Sequence, residues 1–98
     1  MQFLIDHDHP CLPGHFPGHP LVPGVVVLEQ VLHAVCEDSG LPLGALRLPQ
    51  VKFLAPLYPG QQARVQLQGQ RPRWKFTVEH AGQLLVRGEV VLDDGVPA

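Results

Sequence analysis

Charge is scarce in this chain: Asp, Glu, Lys and Arg make up 16% of its 98 residues, and seven basic against nine acidic side chains give a formal net charge of −2. The basic residues are scattered along the sequence, so no field suited to nucleic acid or to an anionic membrane surface is implied. No apolar run approaches the ~20 residues that cross a bilayer, and no basic segment followed by an apolar stretch opens the chain. It therefore reads as cytoplasmic, with neither nucleic acid nor membrane as partner. Cysteine is also sparse, with only Cys11 and Cys36 present. In a reducing compartment these are not expected to pair. Cys36 reads as a small buried hydrophobe, and nothing near Cys11 is arranged to lower its pKa. Repeats, linkers and low-complexity segments are lacking too, which leaves one domain over residues 1–98.

Hydrophobic residues, at 45%, are plentiful. That is too apolar for disorder, and the few charges cannot cover every face, so a self-associating domain is expected. Proline and glycine are plentiful as well, with 11 and 10 copies. Residues 6–24 concentrate them: Pro10, Pro13, Pro17, Pro20 and Pro23 alternate with Gly14, Gly18 and Gly24. Such a segment continues neither a helix nor a central strand, yet its prolines stiffen it into an ordered loop.

Met1 to Ile5 precedes that loop as a short edge strand. After it, the spacing predicts a helix from about Pro23 to Ser39, with Pro23 suited to the first turn and Gly40 to the position beyond the last. Val25, Val26, Val27, Leu28, Val31, Leu32, Ala34 and Val35 cover most of its circumference, which predicts burial on nearly every side. Glu29, His33 and Glu37, with Gln30 beside them, form one narrow polar stripe. Beyond Gly44 the period changes to two. Leu46 and Leu48 alternate, Pro49-Gln50 shifts the phase like a bulge, and Val51 and Phe53 resume it. Tyr58-Pro59-Gly60-Gln61 is a turn, and Ala63, Val65 and Leu67 alternate in the next strand. Trp74, Phe76 and Val78 alternate in another, a turn follows at Ala81-Gly82, and Leu84, Val86, Gly88, Val90 and Leu92 share a face of the last. One helix followed by about four antiparallel strands folds most economically as a curved sheet wrapped around that helix. Asp93 to Ala98 reads as a frayed tail.

Six histidines, four of them in His7-x-His9 and His15-x3-His19, first suggest a metal. The Pro/Gly punctuation does not place His15 and His19 on one helical face, and Cys11 is the loop's sole thiol, so no metal is expected. Acid–base chemistry fits better. His15 alone reads as a loop hydrogen bonder, and Glu29 alone as part of a solvated stripe. Their relation to Gly24 changes both readings: the first N–H groups of a helix lack internal partners and carry the positive end of its dipole. Gly24 and Val25 are thus placed to donate to a developing oxyanion, and Gly24 lets a ligand carbonyl approach without meeting a Cβ.

The run from His15 through Phe16-Pro17-Gly18-His19-Pro20 to Pro23-Gly24 and Glu29 resembles the active-site motif of the β-hydroxyacyl-(acyl-carrier-protein) dehydratases of the hotdog superfamily. Val51-Lys52-Phe53-Leu54-Ala55-Pro56-Leu57-Tyr58-Pro59-Gly60 is similar to the strand and turn those proteins carry after the helix. Arg73-Trp74-Lys75-Phe76 through Gly82 is similar to their late hairpin. The resemblance implies an α+β hotdog domain without metal or redox cofactor. It also implies His15 and Glu29 as the catalytic pair, and Gly24 with Val25 as the donors that polarise a thioester carbonyl. Its substrate would be a 3-hydroxyacyl chain on an acyl carrier protein. Sites in that family lie between protomers, the histidine of one facing the carboxylate of the other, so a homodimer is implied. Two features depart from the pattern: the chain begins almost at its first strand, and Gln61 stands where an acidic residue is common. The compact form looks like the small dehydratases of polyketide or aryl-polyene clusters, some of which pair with a second hotdog subunit. A hotdog thioesterase and a non-catalytic partner subunit are the rival readings. Arg71, Arg73 and Lys75, the one local concentration of positive charge, read either as a solvated hairpin edge or as a docking patch for the acidic carrier.

Overall fold

A computed structural model of the chain describes residues 1–6 and 21–93. Most of the Pro/Gly loop, with Cys11, His15 and His19, lies outside the described residues, as does the tail beyond Asp93. The elements are β1 (Gln2–Leu4), α1 (Gly24–Ser39), a short 3-10 turn (Leu43–Ala45), β2 (Leu46–Phe53), β3 (Gln62–Gln70), β4 (Arg73–His80) and β5 (Gln83–Leu92). All five strands join one antiparallel sheet in the order β1-β3-β4-β5-β2. Among the described residues, no helix is long and apolar enough to cross a membrane.

Local chemistry sets the limits of α1. Pro23 (φ −59°, ψ 142°) precedes the first helical residue, and its carbonyl accepts from the N–H groups of Val26 and Val27 at 3.0 and 3.3 Å. Gly40 ends the helix in the left-handed region at φ 76°, donating to the Cys36 carbonyl at 2.8 Å, a conformation that costs glycine nothing. Ser39 reinforces the stop: its hydroxyl donates to the Val35 carbonyl at 2.6 Å and accepts from the Leu41 N–H at 3.2 Å.

One face of α1 packs on the sheet through Val26, Val27, Val31, Ala34 and Val35. Facing them are Ala63 and Val65 of β3, Trp74, Phe76 and Val78 of β4, and Val86 and Val90 of β5, the inward members of each alternating strand. Full burial of a side chain the size of Val or Phe contributes roughly 1.5–3 kcal/mol, so this layer holds the three consecutive valines helical despite their poor propensity. The expectation of burial on nearly every side is corrected for the single protomer. Val25, Glu29, His33 and Glu37 are exposed at helical spacing, and Leu28, Leu32 and Cys36 are half-buried. No described polar side chain belongs to the core, and the buried indole N–H of Trp74 has no acceptor among the described residues.

The sheet contains two bulges. The first lies in β2, where the pairing with β5 slips between Arg47 and Gln50, as Pro49-Gln50 predicts. The second lies in β5, between the pairs Val78–Val86 and Glu79–Leu84, and makes Leu85 an extra residue. It corrects the strict alternation read from the sequence: Leu85 is 2% exposed and joins the core, while Leu84 is 36% exposed on the outer face. Ala81 and Gly82 both have positive φ, 48° and 83°, the requirement of the tight hairpin just before this bulge.

Candidate active site

The start of α1, the end of β2 and the bulge of β5 meet around an apolar pocket of about 340 Å³. Val22, Gly24 and Val27 form its helix side, Phe53 to Leu57 a second wall, and Leu85 and Val86 the sheet side. Backbone hydrogen bonds hold these walls together. The Leu85 carbonyl, displaced by the bulge, accepts from the N–H groups of Leu54 and Ala55 at 2.7 and 3.2 Å. On the opposite side the Val22 N–H donates to the Leu57 carbonyl at 2.9 Å, tying the approach to α1 to the segment after β2. The turn at Tyr58–Gln61 closes that segment, with the Gln61 side-chain oxygen accepting from the Tyr58 N–H at 3.1 Å. Glutamine at this position thereby supplies the acceptor that an acidic residue would.

The N–H groups of Gly24 and Val25 open on this end of the molecule. No described side chain caps the helix, its first turn has no acidic residue, and no described residue accepts a hydrogen bond from either group. Two donors at the positive end of a helix, beside an apolar wall, suit an oxygen that gains negative charge during a reaction. Gly24 lets the Phe53 ring lie against the helix end. A Cβ on it would lie 2.7 Å from the ζ carbon of the Phe53 ring, closer than real contacts permit.

Glu29 occupies the exposed stripe of α1 and is not among the residues that line this pocket. It makes no ion pair with a described residue. His15, its expected partner, lies outside the described residues. Arg71, Arg73 and Lys75 differ in their surroundings. Arg71 lies in the turn joining β3 to β4, Arg73 is ion-paired to Glu89 of β5, and Lys75 projects from the sheet two residues farther along β4. Arg71 lies seven residues along the chain from Val78, whose partner Val86 lines the pocket. Sequence reasoning missed the pocket wall itself. Leu54 and Leu57 lie in a segment without periodicity, and Leu85 reaches the wall only because of the bulge.

One helix packed against a curved antiparallel sheet, with a substrate-sized pocket at the helix N-terminus, is the hotdog class of α+β protein. Within that class, the family model described as ApeI-like, ApeI dehydratase, matches residues 1–89, and the chain belongs to this family. A 3-hydroxyacyl-(acyl-carrier-protein) dehydratase FabZ of Magnetococcus marinus is 30% identical over 106 aligned positions, covering 96% of this chain and 67% of the relative. Two other such dehydratases are matched over 65% and 48% of their lengths, so the chain spans two thirds or less of these relatives. Among solved structures, the dehydratase heterocomplex ApeI:P from Xenorhabdus doucetiae superposes with a TM-score of 0.74 at 26% identity, covering 93% of this chain and 82% of the other. A 1,4-dihydroxy-2-naphthoyl-CoA thioesterase from Synechocystis shares the fold, with a TM-score of 0.57 at 18% identity over 92% of this chain and 76% of its own.

Proposed function

We propose that this protein is a dehydratase subunit that converts (3R)-3-hydroxyacyl thioesters on an acyl carrier protein to trans-2-enoyl thioesters in the cytoplasm. The observation that carries the reading is the pair of N–H donors of Gly24 and Val25, which no described residue accepts from, at the helix end beside an apolar pocket. A thioester carbonyl seated against them gains hydrogen bonds as its oxygen becomes enolate-like, which makes the α-proton easier to remove. Neutral His15 takes that proton. The electron pair left on the α-carbon forms the double bond, the β-carbon to oxygen bond breaks, and protonated Glu29 donates to the departing hydroxyl to release water. Atoms and charge balance without an external reagent.

The exposure of Glu29 and its absence from the lining of its own chain's pocket support a site completed by a second subunit. A second subunit laid over this stripe would bring the Glu29 carboxyl into a site from which bulk water is excluded. Either an identical chain or a different hotdog subunit would supply the cover, and the likeness to a dehydratase heterocomplex favours testing both.

The test is hydration of a trans-2-enoyl thioester, followed as loss of the conjugated chromophore. Wild type, alone or with a second hotdog subunit, should add water, and His15→Ala and Glu29→Gln should each lower the rate by a hundredfold or more, roughly the contribution of a positioned acid or base. Full activity in both variants would overturn the assignment. Release of free thiol without hydration would assign the site to a thioesterase instead.

A further inference from the structure

Period-two alternation gathers on the sheet's outer face the cations that are dispersed in sequence. Lys52, Arg87, Thr77 and Gln66 form one row across β2, β5, β4 and β3, and Gln50, Glu89, Lys75 and Gln68 form the next. Arg47, Val91 and Arg73 continue the same face, and Arg64 opposes Glu79 at its other end. Six of the chain's seven Lys and Arg residues thus lie on this face, with Arg71 in the adjoining turn. Only Glu79, Glu89 and Asp93 of the nine acidic residues belong to β4, β5 or the residue just after β5, whereas α1 carries Glu29, Glu37 and Asp38 and no Lys or Arg.

Two of the three carboxylates are committed to ion pairs, Glu89 with Arg73 and Asp93 with Arg47. Lys52, Lys75 and Arg87 make no ion pair with a described residue, and all three line a cleft of about 740 Å³ on this face, together with Gln50, Gln68, Thr77 and the Arg73-paired Glu89. Lys52 and Arg87 are direct cross-strand neighbours. Like charges placed opposite each other destabilise an isolated sheet, and the fold has no need of them there. An anionic partner converts that cost into attraction. The pair also adjoins the candidate site, because Phe53 and Val86, one ladder row away, line the pocket beneath the sheet.

We propose that this cleft, centred on Lys52, Arg87 and Lys75, docks the acidic surface of the acyl carrier protein that delivers the substrate, so that Lys75 alone of Arg71, Arg73 and Lys75 belongs to its centre. The inference rests on the carrier-linked substrate proposed above. Charge complementarity selects the occupant: an acidic protein surface offers several carboxylates at spacings that match two rows of a sheet.

The test is fluorescence anisotropy of a labelled holo acyl carrier protein titrated with the full chain. Wild type should bind, and raising salt from about 50 to about 300 mM should weaken binding, since screening acts on exposed pairs. The double charge reversal Lys52→Glu with Arg87→Glu should weaken it at least about tenfold, whereas Lys52→Arg with Arg87→Lys should retain it. Unchanged melting of each variant shows that the fold is intact. Equal affinity of the reversed and wild-type proteins would overturn the proposal, as would tighter binding to a single-stranded RNA of similar charge than to the carrier. Hydration of an enoyl thioester on a small thiol needs no carrier, so its failure in wild type both alone and with a second hotdog subunit sinks the proposed reaction and leaves the docking result to be read separately.

Discussion

The ring of Phe53, 52% exposed, rests so closely on Gly24 that the α-carbon of the first helical residue faces the ring with no room for a methyl group between them. Sheet edge and helix end are thereby joined at the point where the N–H donors of Gly24 and Val25 emerge. Gly24→Ala replaces a residue that costs up to about 1 kcal/mol in a helix, and the half-exposed ring has solvent to swing into. Stability measured by urea unfolding should therefore change by no more than about 1 kcal/mol, while hydration of enoyl thioester falls at least about tenfold as the ring moves over the donors. Adding Phe53→Leu should recover part of the lost rate.

Gly88 presents the opposite case. A Cβ there meets the Gln50 carbonyl oxygen, which is backbone at the β2 bulge, as well as the Phe76 ring. Backbone does not swing aside, so Gly88→Ala should cost about 3 kcal/mol through overpacking and strain. Urea unfolding followed by circular dichroism checks this, and a loss within about 0.5 kcal/mol would contradict the close approach.

Complementation tests whether the site is shared between chains. If His15 of one chain serves with Glu29 of another, mixing inactive His15→Ala with inactive Glu29→Gln in equal amounts, through unfolding and refolding, yields mixed dimers with one intact site each. Random pairing should then recover about a quarter of wild-type activity. Recovery near zero is the result expected of a site built within one chain.

Trp74 is the chain's single tryptophan, 1% exposed, and its indole N–H has no acceptor among the described residues. Its emission should be blue-shifted in the native protein and move to longer wavelength on unfolding. Trp74→Phe removes an unsatisfied donor worth about 1–3 kcal/mol along with some apolar volume. The net loss should stay near 1 kcal/mol or below, against roughly 3–5 kcal/mol for Phe76→Ala in the same strand. Denaturant midpoints of the two variants provide the comparison.

Much of the architecture was legible in the residues themselves, because the signals that specify it are local. Helical spacing between Pro23 and Gly40, the left-handed stop at Gly40, the phase break at Pro49-Gln50 and the alternation of Trp74, Phe76 and Val78 each depend on neighbours within a few positions. The motif around Gly24 and Glu29 was legible for the same reason, and it leads to the family in which the chain belongs. Tertiary structure decided the rest. Leu84 and Leu85 are equally apolar, and only the register of β5 against β4 determines which is buried. Lys52 and Arg87 are thirty-five positions apart in sequence and become neighbours only through the β2–β5 ladder. Glu29 belongs to a stripe that the spacing shows clearly, but that it lies outside the pocket of its own chain depends on how α1 is rotated against the sheet. Periodicity assigns a residue to a face, and only pairing and packing determine what that face meets.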